Sequence, residues 1–253
     1  EGSAITFTYD TSAPTVSNVT SAKADGTYTT DAVIDITVTF SEVVNVTGTP
    51  YLELETGTTD RNATYSSGDA SDTLTFRYTV QAGDYSDDLD FKATSSLKLD
   101  GGTIKDNAGN AATLTLPSPG ATYSLGANKA LVINANAPDT ASVTTPSNGA
   151  IYNASSIPAT FSGQVGDDAD GAGLNANSAT FYIKNGSLYW NGSTWTTQSW
   201  LATTHDATSD GSEVSWTDNV DLPTWQDGQS YEVKAKATDK AGNTFEGSAI
   251  TFT

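Results

Sequence analysis

The chain has 253 residues, 36% of them hydrophobic and 16% charged, enough for one large all-β domain or two domains of ordinary size. Thirty acidic residues against eleven basic ones give a formal charge of -19. Such a surface repels nucleic-acid backbones and anionic lipid, and no apolar stretch approaches the roughly 20 residues that cross a bilayer. Cysteine and methionine are absent and His205 is the one histidine, which excludes disulfides, thiol chemistry and any multi-histidine metal centre.

In chain order the first feature is a repeat. The octet "EGSAITFT" at Glu1–Thr8 returns letter for letter at Glu246–Thr253. Eight identical residues mark one period of a longer tandem array. Residues 1–10 are therefore expected to be the last strand and linker of a preceding repeat, and the chain a piece of something larger. If that first strand is ordered, it is expected against another copy, at an exposed sheet edge. Two linkers follow the same recipe, "YDTSAPTVSN" at 9–18 and "NANAPDTASVTTPSNG" at 134–149. Each sets an Asp beside an Ala-Pro pair, where proline fixes its own φ and holds its predecessor extended. They divide the rest into a first domain, 11–136, and a second, 137–253.

Strand patterns fill both domains. Ile34, Ile36, Val38 and Phe40 alternate with Asp35, Thr37 and Thr39, and Leu74, Phe76, Tyr78 and Val80 with Thr75, Arg77 and Thr79. Leu52 with Leu54, Leu97 with Leu99, and Leu131–Ile133 predict further strands of the first domain. In the second, Tyr231, Val233, Ala235 and Ala237 alternate with Glu232, Lys234 and Lys236, and Ile250 with Phe252 closes the set. A period of two puts one face on a core and the other in water. No segment carries a convincing helical period. Short strands between turn clusters, in units near about 100 residues, predict an all-β fold of two tandem Ig-like antiparallel β-sandwich domains.

Specific segments carry a resemblance. "ITVTFSEVV", "GTPYLELETG", "LTFRYTVQAGDYSDDLDF" and "LDGGTIKDNAGNAATLTLP" in the first domain, with "YWNGSTW" and "GQSYEVKAKATDKAGNT" in the second, resemble the bacterial Ig-like tandem repeats of giant surface adhesins. The resemblance covers nearly the whole chain. It implies a non-enzymatic extender or stalk of an extracellular, cell-surface protein, partnered by neighbouring repeats of the same polypeptide and by copies of itself in a filament. It also implies calcium at domain junctions.

Of the thirty acids 23 are Asp, many in turns with Gly and Asn. Aspartate suits turns through local backbone hydrogen bonds, but clustered carboxylates on tight turns also meet the need of calcium for six to eight hard oxygen ligands. The densest cluster is "GDDADGAG", with Asp167, Asp168 and Asp170. Fitted to an EF-hand it leaves Gly166 at position one and Asn177 at position twelve, so it is no EF-hand. In a seven-strand sandwich it reads as the B-C loop, and "TDKAGN" (238–243) as the F-G loop, at the pole where the linker enters. Asp139, Asp167 or Asp168, Asp170 and Asp239 are thus expected to meet there around calcium, between the domains. The same placement in the first domain selects Asp10, Glu42 and Asp106, a second site whose other wall the previous repeat would supply and which is expected to be weaker where that repeat is absent. A third run, Asp84, Asp87, Asp88 and Asp90, reads as the E-F connection at the exit pole, either a help to the junction with the second domain or, the preferred reading, a solvated loop.

All five tryptophans, Trp190, Trp195, Trp200, Trp216 and Trp225, fall in the second domain. Large aromatics dominate sandwich cores, while exposed ones stack on sugar, so a carbohydrate-binding module is the alternative function, with a glycan as partner. His205 reads as a solvated loop residue, and no nucleophile elbow accompanies it. Six N-x-S/T sequons, at Asn18, Asn45, Asn62, Asn153, Asn185 and Asn191, follow from a composition rich in Asn, Ser and Thr.

Overall fold

The structure is a computed structural model that describes residues 7–209 and 211–253. Its regular secondary structure is almost entirely strand, and it divides into two compact units, the first ending at Ala135 and the second starting at Asn136. The expectation of a strand at residues 1–8 falls mostly on 1–6, outside the described residues; Phe7 and Thr8 are exposed and carry no strand.

The first unit consists of β1 (Val16–Ser21), β2 (Gly26–Tyr28), β3 (Val33–Thr47), β4 (Tyr51–Leu54), β5 (Arg61–Ser67), β6 (Ser71–Thr79), β7 (Tyr85–Ser86), β8 (Leu97–Lys98), β9 (Thr103–Lys105) and β10 (Leu131–Asn134). Its main sheet runs β1-β3-β6-β5-β4-β8, and a smaller sheet runs β2-β10-β7. The pairing follows the predicted alternation. Ile34, Ile36 and Val38 stand opposite Tyr78, Phe76 and Leu74, and all six are buried in one core with Leu131 and Ile133 of the second sheet. Putting every second side chain of β3 and β6 on the core side makes this the one register that buries them all.

Two features depart from the pattern. A single helical turn, α1 (Leu125–Asn128), precedes β10; the Ser124 hydroxyl accepts from Ala127 N at 3.2 Å, and Leu125 fills the core. Strand β3 also runs on past its predicted end. Its register slips between Thr39 and Val44, after which Asn45–Thr47 pair with β9. A slip of this kind bends a strand and re-aims its side chains, and Glu42 lies within it.

The second unit consists of β11 (Thr140–Thr145), β12 (Ser162–Gly166), β13 (Thr180–Asn185), β14 (Leu188–Trp190), β15 (Trp195–Thr196), β16 (Leu201–Thr204), β17 (Glu213–Asp218), β18 (Tyr231–Thr238), β19 (Thr244–Glu246) and β20 (Ile250–Phe252). One layer is β11-β12-β17-β16; the other sets β13 against β18, with β19 and β20 beyond and the β14-β15 hairpin on the opposite side. This is the A-B-E-D against C-F-G order of an Ig-like sandwich. The fully buried Trp216 lies 5.3 Å from Phe181, ring to ring, and its Nε1 donates to Ser142 O at 3.0 Å. A Cβ on Gly163 would stand 1.8 Å from that same carbonyl oxygen. Glycine at 163 is what lets β11, β12 and the tryptophan close up.

Candidate metal centres in the acidic loops

The same turn occurs once in each unit. In Asp106–Asn110 and again in Asp239–Asn243, the sequence D-x-A-G-N folds back so that the Asp N–H donates to the Asn carbonyl, at 3.1 and 3.0 Å. The Asn N–H in turn donates to the Asp Oδ1, at 2.8 and 2.7 Å, and the Asn side-chain amide to Oδ2, at 2.6 and 2.8 Å. The glycine holds φ +96° in one and +98° in the other, a left-handed conformation open to Gly. The result is a closed turn that fixes the orientation of a buried Asp carboxylate.

In the first unit this platform meets two further carboxylates. Asp10, on the incoming linker, accepts Ser12 N at its Oδ1 at 2.9 Å, and its main-chain oxygen accepts the Asn110 side-chain amide at 3.2 Å. Ser41 N donates to Thr15 O, and Thr113 N to Pro14 O; these bonds hold the linker against the slipped part of β3 that carries Glu42. Ligand oxygens of Asp10, Glu42 and Asp106 all lie within 4.8 Å of one another. Among the described residues, none of the three forms an ion pair with lysine or arginine. Desolvation, with the charges of Asp10 and Asp106, raises the Glu42 carboxyl above its usual range. Burial also pushes Asp106 up, but hydrogen bonds from the Asn110 side chain and the backbone of Asn110, Gly109 and Ala108 outweigh it and hold this group below the usual range. One carboxyl is thus held ionised and one is strained by its neighbours, an arrangement that a dication would relieve.

In the second unit the expected loops are where the sequence put them. Residues 167–179 join β12 to β13, and 239–243 join β18 to β19. An isolated bridge ties Leu174 to Asp239, and Thr140, next to Asp139, pairs with Gly166. Asp167 is 1% exposed. Its Oδ2 accepts Gly173 N at 2.7 Å and its Oδ1 accepts Asp168 N at 3.1 Å. Burial, followed by the charges of Asp239 and Asp168, pushes its carboxyl up to about 6 against those two hydrogen bonds. Burial also raises Asp168, as do the charges of Asp170 and Asp139, while Asp170 N and the Asn136 side chain lower it. Its Oδ1 is a buried oxygen with no hydrogen-bond partner. A polar atom left unmatched inside a carboxylate cluster fits a cation's place. The five acids are electrostatic neighbours, yet among the described residues the tight group of three is the one in the first unit.

Sequence reasoning missed other roles. The run 84–90 is only partly a solvated loop: Asp87 and Asp88 are exposed, but Asp84 is fully buried. It takes Arg61 Nε at 2.7 Å, the Tyr78 hydroxyl at 2.7 Å and Gln81 N at 2.8 Å. Asp90, 8% exposed, accepts Phe91 N and Gly120 N. His205 is likewise 6% exposed rather than solvated. Its Nε2 accepts Ala179 N at 3.0 Å, which leaves Nδ1 to donate to Asp206 O at 2.7 Å. No short-range pattern announces these partners, because Arg61 comes from β5 and Ala179 from the end of the loop before β13, each more than twenty residues away. The tryptophans mostly pack: Trp216 is buried, Trp190, Trp195 and Trp225 lie against the core, and Lys236 Nζ sits 4.3 Å over the half-buried Trp200 ring.

In comparisons with known proteins, no family model matches the chain and no curated protein matches it. The class that the fold defines is an all-β, antiparallel β-sandwich protein with two such units in one chain.

Proposed function

We propose that this chain is a structural extender of a large extracellular bacterial adhesin or surface filament, of the kind that the Ig-like repeats it resembles provide. In this reading calcium fixes each incoming linker to the sandwich it enters and so stiffens the array at its domain junctions. The observation that carries it is the convergence of Asp10 from the linker, Glu42 from the slipped strand and Asp106 from the D-x-A-G-N turn within 4.8 Å. A single linker residue joined to two body residues is what a clamp requires. Asp139, Asp167, Asp168, Asp170 and Asp239 supply the corresponding donors in the second unit. When bound, the ion supplies charge neutralisation and fixed geometry, and extracellular modules of this kind take it at about 10⁻⁴–10⁻³ M.

Calorimetric titration of the full chain with calcium tests this. Saturable binding is expected, with Asp106→Asn and Asp168→Asn each removing part of the heat. Hydrogen exchange at Ser12 and Thr113 should slow with calcium, and scattering should report a longer particle with calcium than in chelator. No heat at about millimolar calcium overturns the clamp and makes the acidic loops ordinary turns.

A further inference from the structure

Beside its aromatic core the second unit opens a cavity of about 640 Å³, a size within the range of small-molecule sites. Two walls enclose it, and each is fixed by its own hydrogen bonds. One is the segment after β11: Tyr152 N donates to Thr253 O at 2.7 Å, and Ser156 N and Ile157 N both donate to Asn153 O at 3.0 Å. The other is the segment before β18, where Gln226 N donates to the Tyr231 hydroxyl at 2.9 Å and Gln229 N to Gln226 O at 3.3 Å. The cavity is therefore formed before any ligand arrives.

Its floor is aromatic. Phe252 and Tyr231 are each 2% exposed. The half-buried Trp225 meets their rings at 5.3 and 4.9 Å, and the half-buried Tyr152 stands edge-on to Phe252 at 5.9 Å. Among these rings are polar groups with nothing to bind. Trp190 and Trp216 give their indole N–H groups to Asp221 O and Ser142 O, but among the described residues that of Trp225 has no acceptor. The Tyr152 and Tyr231 hydroxyls each accept a main-chain N–H, from Ser147 and Gln226, and each keeps a proton to donate. Gln226 and Asp227 line the cavity as exposed residues, and their side chains make no hydrogen bond or ion pair among the described residues.

An aromatic floor takes an apolar face, and unengaged N–H, O–H, amide and carboxylate groups beside it take hydroxyls. A pyranose ring offers both at once, with C–H groups on its faces and hydroxyls round its edge. Charge narrows the class, since the -19 of the chain and Asp227 at the cavity repel a uronate or a sulfated sugar. A wholly apolar ligand would strip these polar groups of water and leave them unpaired. We propose that the cavity binds a neutral saccharide, with a sugar ring against Trp225 and Tyr152 and its hydroxyls on the Trp225 indole N–H, Gln226 and Asp227. The site lies wholly within the second unit and stands apart from calcium, so it is tested in chelator.

Maltotriose, cellotriose, mannotriose and galactotriose are titrated into the full-length chain, followed by calorimetry and tryptophan emission. Saturable binding of at least one is expected. Gln226→Ala with Asp227→Ala should weaken it at least about threefold with the unfolding midpoint unchanged, and Trp225→Ala at least about tenfold, roughly 1.4 kcal/mol. Because Trp225→Ala also removes a core contact, Trp225→Phe keeps a ring in place without the indole N–H and should bind at least about threefold more weakly. Trp200→Ala, outside the cavity, should bind as the unsubstituted chain does. Thr253 borders the cavity, so a chain lengthened after it by a copy of residues 9–18 is titrated too and should bind equally. No saccharide binding, binding indifferent to the Trp225 and Gln226/Asp227 changes, or binding lost in the lengthened chain overturns the proposal.

Discussion

Asp167 shows how a single carboxyl reports on the cluster around it. Its folded pKa of about 6 stands above the unfolded value near 3.9, so the folded chain holds this proton more tightly than the unfolded one. Stability from this group is therefore greatest at low pH, falls as pH rises from about 4 to about 6, and the loss is complete at pH 7. In chelator, the unfolding free energy of the unsubstituted chain relative to Asp167→Asn should fall by on the order of 2 kcal/mol between about pH 4 and pH 7. Denaturant titrations at a series of pH values read this directly, and a flat difference contradicts it. If the proposed calcium clamp holds, calcium should cancel the loss, because a bound cation would favour the ionised form. Gly171 is part of the same device, since a Cβ there would lie 2.3 Å from the Asp167 Cγ. The glycine in "DADG" was legible in the sequence as a turn residue; that it makes room for a buried carboxylate was not.

Among the elements of the first unit, β5, β6 and the turn into β7 are fastened by one acid. Asp84 gathers Arg61 from β5, Tyr78 from β6 and the Gln81 amide. Burial, then the Asp84 hydrogen bond, drives the Tyr78 hydroxyl well above its ordinary pKa, so it stays a neutral donor. Replacing Asp84 by alanine leaves a phenol and a partly buried guanidinium without their acceptor, and removal of one partner of a buried pair costs about 3–5 kcal/mol. Asp84→Ala should lower the stability of the first unit by about 3 kcal/mol. Thermal unfolding followed by near-ultraviolet signals of the second unit's tryptophans should be little changed, since all five lie outside the first unit. An equal loss in both signals would show that the two units unfold together. The strands themselves were readable from period-two alternation, whereas α1 was not. A four-residue turn capped by Ser124 has too short an apolar pattern to register.

For the whole molecule, the charge of -19 sets a self-repulsion that folding must overcome, and salt screens it over about 10 Å at 0.1 M. Raising sodium chloride from about 0.02 M to about 0.5 M should raise the melting temperature in chelator. Under the proposed calcium clamp, the same addition with saturating calcium should raise it less, because bound ions would already neutralise the densest carboxylates. Scanning calorimetry across salt and calcium checks both halves of that statement. Such a charge also keeps neighbouring copies apart.

The amino-acid sequence by itself determined the all-β class, the strand faces, the repeated octet and the loop at 238–243, because each of these is a local pattern of period, identity or turn chemistry. It also selected Asp10, Glu42 and Asp106 as residues of one pole. Tertiary structure alone decided that these three come within a few ångströms, through a register slip in β3 that no local signal encodes. It alone placed Asp84, Asp90 and His205 inside, and packed Phe252 against Trp225, Tyr231, Phe161 and Tyr152. Distances between residues far apart in the chain depend on how the strands pair across a sheet, and pairing is a property of the whole fold.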